Sequence, residues 1–177
     1  MRLQVMPARL ALALMLAAAG LAGCAEGVKP TGEPSFYRSL AQPDAALDAN
    51  AAASMISGYR ANNGLPAVTV DPQLMQLAEA RARAMAARNK VDQNIGGAFR
   101  VRLKQSGYDA KTAAENVSAG YHTLAEAFSG WRDSPPHRAN MLLKGATKMG
   151  IAAAFAPGSK YKVFWSLILA EPDDRRG

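Results

Sequence analysis

The chain offers few residues for chemistry. It holds two histidines, His122 and His137, and a single cysteine, Cys24. His137 follows Ser134-Pro135-Pro136, which reads as the first turn of a helix opened by proline. The positive end of a helix disfavours an imidazolium there. The ring is expected to stay neutral and to accept a hydrogen bond or a metal. A purely structural hydrogen bond is the competing role. His122, beside Tyr121, reads as a surface residue. Glu126 closes the pattern Thr123-Leu124-Ala125-Glu126, a capping box in which the acid reaches back to a backbone N–H. Several chemistries are excluded. There is no G-x-S-x-G elbow and no His-Glu-x-x-His pair, which removes α/β-hydrolases and zincins. Cys24 ends an N-terminal apolar run, so no Cys–His pair can serve as nucleophile and base. One cysteine permits neither a disulfide framework nor a zinc ribbon. The Gly96-Gly97 turn lacks a phosphate-cradling pattern.

The elements that would position these residues follow from punctuation and periodicity. Asp44 is expected to cap a first helix whose face is Leu47, Ala51, Met55 and Tyr59. Asn62-Asn63-Gly64 ends it. Leu65 to Val70 is extended. Asp71-Pro72 opens a long alanine-rich helix that runs to about Asn89, with Arg81 on its apolar face. Asp92 to Gly97 is a polar turn. Phe99 and Leu103 mark a short helix ended by Gly107. Ala114 to Ala119 is extended, a helix runs from Thr123 through Trp131, and another runs from Pro135 to Leu143. Met149 to Phe155 and Tyr161 to Ala170 form a closing hairpin around Ala156-Pro157-Gly158-Ser159. The last strand is apolar on both faces. Val163, Trp165, Leu167 and Leu169 line one, and Phe164, Ile168 and Ala170 the other. Such a strand needs cover on both sides. The pattern predicts a mixed α/β domain, a small antiparallel sheet between helical layers.

The N-terminus reads differently. Arg2 and Arg9 precede an apolar run, Leu10 to Ala19, too short to cross a hydrocarbon core of about 30 Å. It ends in Leu21-Ala22-Gly23-Cys24, which resembles the bacterial lipobox. Residues 1–23 are therefore expected to be a signal peptide and Cys24 the lipidated mature terminus. Residues 24–43, with glycines and prolines and no apolar period, read as a flexible tether reaching at most about 60 Å. Phe36, Tyr37 and Leu40 are its candidates for docking onto the domain at 44–172. Ala25 after the cysteine suggests, by the same resemblance, the outer membrane more than the inner. The expected location is the periplasmic side of a bacterial envelope.

Of the 21 basic residues, two lie in the first 23, which hold no acid, so the remainder carries about +5 against 14 acids. The charges are scattered, with no basic stripe interleaved with aromatics, and nucleic acid is not an expected partner.

Several short motifs occur in order: Tyr59-Arg60-x-x-x-Gly64-Leu65, Asp71-Pro72, Gly107-Tyr108, Ala114-Glu115-Asn116-Val117, Trp131-x-x-Ser134-Pro135-Pro136-His137-Arg138-x-Asn140 and Met149-Gly150-Ile151. The set resembles the CAP superfamily (cysteine-rich secretory, antigen 5 and pathogenesis-related 1 proteins), in a short bacterial form. The resemblance implies an α-β-α sandwich and a cavity of two histidines and two glutamates that holds a divalent metal in some members. By position, the glutamates fall on Glu115 and Glu126 and the second histidine on His137. The first histidine falls on Gln93 and is lost. Glu115 has a competing role, holding a neighbouring loop through backbone N–H groups. Zinc favours imidazole, thiolate and carboxylate over an amide oxygen. Glu115, Glu126 and His137 are thus weak metal candidates at most, and no cofactor is expected.

Two functions compete, beside a third reading as a structural envelope protein with no ligand. One is a non-enzymatic module that binds an envelope ligand: a lipid, a glycan or a protein. The other is a metal-assisted hydrolase of peptide or cell-wall substrates, with Glu115 or Glu126 as base and His137 as orienter or acid. Cys24→Ser is expected to move the protein from the membrane to the soluble fraction. Retention of the variant in washed membranes would refute the lipid anchor.

Overall fold

A computed structural model describes residues 32–95 and 97–173. The expected signal peptide, Cys24, the expected tether as far as Thr31, and Gly96 of the Gly-Gly turn lie outside the described residues.

The helices are α1 (Ala49–Ala61), α2 (Pro72–Arg88), α3 (Phe99–Gln105), α4 (Leu124–Asp133) and α5 (Pro135–Met141). The strands are β1 (Thr69–Val70), β2 (Ala110–Ala119), β3 (Lys148–Phe155) and β4 (Val163–Pro172). Sheet order is β1-β3-β4-β2. The three long strands are antiparallel, as expected. The short β1 adds a parallel edge to β3, which makes the sheet mixed. Helices cover both faces, giving the α-β-α sandwich.

β4 explains the layering. Val163, Trp165, Leu167 and Leu169 enter the core with Ile56 of α1, Leu124 and Trp131 of α4 and Met141 of α5. Ile168 and Ala170 pack with Leu74, Ala78 and Ala82 of α2 and Leu103 of α3. Phe164 meets Met85 and Val117. The position between them on that face, Ser166, is fully buried and polar. The two tryptophans stack edge to face with centroids 6.1 Å apart. Trp131 donates to Ser118 Oγ and Trp165 to the Tyr121 carbonyl, so both indole N–H groups are satisfied in the core.

Helix α1 corrects two expectations. Its cap is Asp48, whose carboxylate accepts the Ala51 N–H at 2.9 Å. That bond, then Ser35, holds the carboxyl below the usual range. Asp44 lies four residues earlier with φ +60° and caps nothing. The buried face is Ala52, Ile56 and Arg60, one residue on from the apolar stripe, because Arg60 is inside. Its guanidinium, with no exposed surface, donates to the carbonyls of Pro66, Met141, Leu143 and Ala146 at 2.8–3.0 Å. It supplies the hydrogen bonds that irregular chain on either side of it lacks.

The end of the expected tether is packed, not free. Ser35–Tyr37 form a single 3-10 turn. Leu40 is buried and donates its N–H to the His122 carbonyl at 2.7 Å, and Phe36 packs on the core. Ser35 Oγ bonds Asp48. Tyr37 remains more than half exposed.

Gly150 of β3 sits where α2 crosses the sheet, and a Cβ there would overlap the Leu74 carbonyl. Gly150→Ala is expected to destabilise by about 2 kcal/mol or more through overpacking. Gly58→Ala, at an exposed position of α1 with open space around it, is expected to stabilise by roughly 0.5–1 kcal/mol. Urea unfolding of both variants checks the pair.

Candidate functional site

Strand β2 carries the motif glutamate in register with Ile168 of β4. Neighbouring strand residues point to opposite faces, so Glu115 and Asn116 have different partners. Asn116, almost fully buried, donates to the His137 carbonyl at 2.9 Å and accepts from Asn140 Nδ2 at 2.9 Å. Asn140 also bonds the Glu115 carbonyl at 3.1 Å. The Asn-Asn pair fastens α5 to β2.

Glu115 points toward α2 and α3. One carboxylate oxygen receives Arg102 Nη2 at 2.6 Å and lies 3.7 Å from Arg81 Nε. The other accepts from Ser166 Oγ at 3.3 Å. Side-chain exposures are 0% for Arg81, 6% for Glu115 and 12% for Arg102. Arg81 also donates to the carbonyls of Ile95 and Asp92, and Arg102 to that of Gly97 at 3.1 Å. The arginines therefore pin Asp92, Ile95 and Gly97 to the body. Burial pushes Arg81 below its ordinary value, and Glu115 is the main opposing influence. A buried carboxylate held by two guanidiniums is poorly placed to reach a substrate atom or a metal. Each of its oxygens already accepts one hydrogen bond, and the adjacent positive charges repel a cation.

The remaining predicted residues do not join it. Glu126 performs its capping box: Thr123 Oγ1 accepts the Glu126 N–H, while the Glu126 carboxylate accepts N–H groups from Thr123 and, at 2.6 Å, from His122. Gln93 is exposed in the turn. His137 is half-buried, and burial pushes its pKa below the ordinary 6.5. A carboxylate at the ring would push it the other way. Among the described residues, no three His, Cys, Asp or Glu side chains gather closely enough to hold a metal ion. The residues do not fit the zinc site that the resemblance implies.

The structure adds Arg81 and Arg102, which sequence reasoning left out of the site. The signal was Arg81 itself, a charge on the apolar stripe of α2, which demands a buried partner. Beside this triad a cavity of about 370 Å3 opens between α2 and α3. A second, of about 480 Å3, lies between the end of α2 and the β3–β4 hairpin.

The sandwich and the ordered motifs define a CAP domain. Residues 53–169 match the Cysteine-rich secretory protein family (CAP), and the chain belongs to it. It is 30% identical over 100 residues to the uncharacterized protein YkwD of Bacillus subtilis (strain 168), covering 55% of this chain but only 38% of that protein's length. An extracellular protein of Bacillus anthracis str. Ames containing an SCP domain superposes with a TM-score of 0.60 at 22% identity, over 69% of this chain and 39% of that one. An outer surface protein of Borrelia burgdorferi superposes with a TM-score of 0.63 at 15% identity, over 71% of this chain and 92% of that one. At these identities the structures establish the shared fold.

The lowered pKa of His137 gives a pH dependence with a definite sign. Between the folded value and 6.5 the unfolded chain binds the extra proton, so stability falls as pH drops through that window. His137→Asn is expected to flatten this fall. Thermal melts on either side of pH 6.5 measure it, and an unchanged slope would refute the assignment.

Proposed function

We propose that this chain is a lipid-anchored CAP domain of the bacterial envelope that works as a non-catalytic binding module. The observation that carries the reading is the state of Glu115, held by Arg102, Arg81 and Ser166. General acid–base catalysis needs a group free to exchange a proton within reach of a substrate atom. Glu115 is not free, Glu126 is committed to a helix end, and among the described residues no carboxylate orients His137. The hydrolase reading has no comparable support.

Export and anchoring rest on the N-terminal sequence. Arg2, Arg9, the Leu10–Ala19 run and Leu21-Ala22-Gly23-Cys24 supply a signal peptide and a lipid acceptor. The surface or extracellular naming of two structural relatives agrees with that location. The periplasmic side of the outer membrane is the proposed site, with a lipid, glycan or protein of the envelope as partner.

Zinc titration by calorimetry on the wild type and on Gln93→His tests the reading. Neither protein is expected to show saturable micromolar binding, because restoring an imidazole does not release Glu115. Micromolar binding by the wild type, together with metal-dependent hydrolysis lost in Glu115→Gln, would overturn the proposal.

A further inference from the structure

The α2–α3 cavity has an unbalanced charge. Arg81 and Arg102 contribute two guanidiniums to its wall, and Glu115 is the carboxylate between them. Asp92, the other acid near Arg81, is paired with Lys90 at 3.3 Å. The remaining charges nearby on α3, Arg100 and Lys104, are positive. One guanidinium is thus left without a carboxylate where little water reaches it. Arg81 Nε is buried and has no hydrogen-bond partner among the described residues. Arg102 uses Nε on Gly97 and Nη2 on Glu115, and Nη1 is its remaining nitrogen. An uncompensated buried charge is costly, and a bound counter-charge removes that cost.

We propose that this cavity binds a compact monoanion: a carboxylate carrying a small apolar body. This deepens the binding-module reading and rests on it. The carboxylate sits against Arg102, where planar N–H donors suit a planar acceptor. Its apolar body lies against Leu77, Ala80, Ala84 and Ile95, which line the cavity together with the polar Gln105 and Ser106. A volume of about 370 Å3 is at the small end of ligand pockets, which span about 300–1,000 Å3. A phosphate dianion fits less well, because Glu115 repels the second negative charge. A metal cation meets the two arginines. The sequence that lacks one histidine of the family's cation site thus surrounds the motif glutamate with positive charge, and the preferred guest changes sign.

Two sources supply this chemistry, a free short-chain acid and the C-terminus of a peptide with small side chains. The mature chain in a non-ionic detergent at low ionic strength is titrated by calorimetry with butyrate, with N-acetyl-dialanine and with inorganic phosphate. At least one carboxylate is expected to bind saturably and more tightly than phosphate. The stronger of the two identifies the source. Arg102→Gln is expected to weaken binding by about tenfold or more. So is Ala84→Leu, which fills the cavity from the surface of α2 and leaves the charges in place. Failure of both carboxylates to saturate, phosphate binding more tightly than either, or unchanged affinity in both variants would overturn the proposal. Those results would leave the non-catalytic reading standing, whereas metal-dependent hydrolysis would sink that reading directly.

Discussion

A carboxylate buried between two guanidiniums governs the site and much of the fold around it. Glu115 lies in the seam where β2 and β4 meet α2 and α3, and Arg81 and Arg102 close on it from the two helices. Taking such charges out of water costs several kcal/mol per ion, which attraction recovers only when the remaining donors are satisfied. Here most are used, on the carbonyls of Asp92, Ile95 and Gly97. The triad therefore builds a turn as well as a charge cluster. It also decides the chemistry. An acid shared between two bases cannot be lent to a substrate, and the surplus positive charge around it favours anions over metals.

The opposite layer rests on an analogous device without a carboxylate. Arg60 gathers carbonyls from the segment after α1 and from the chain around the end of α5. Between these polar centres the core is conventional: a two-faced β4, an edge-to-face tryptophan pair, and α2 laid so close on β3 that only glycine fits at residue 150. Both buried arginines replace missing backbone partners, which lets short helices and irregular loops enclose a sheet without leaving buried carbonyls unpaired.

Most of the fold was legible in the sequence. Asp71-Pro72, Asn89 and the Thr123–Glu126 box set helix ends through local bonds that depend only on neighbouring residues. The two-faced character of β4 announced the layers. What was illegible depends on distant partners. Asp44 and Asp48 are equally good caps by type, and the choice falls on Asp48, which Ser35 also contacts from outside the helix. The one-residue rotation of α1 follows from Arg60, a charge that no apolar pattern counts. The site was the least legible part. Position in a motif located Glu115, but its character came from Arg81 and Arg102, whose convergence on β2 is purely tertiary.

The docked segment before α1 has a mechanical meaning. Ser35 and Leu40 are clamped to the Asp48 cap and to the loop ahead of α4. Residues 25–33, fully stretched, reach about 30 Å at most, roughly half of what a free leash up to Pro43 would allow. If Cys24 carries the proposed lipid, this shorter leash limits how far the chain after it can stand from a bilayer. Tension on the anchor would enter through this clamp, shearing a cap and a backbone bond before any strand of the sheet felt the load.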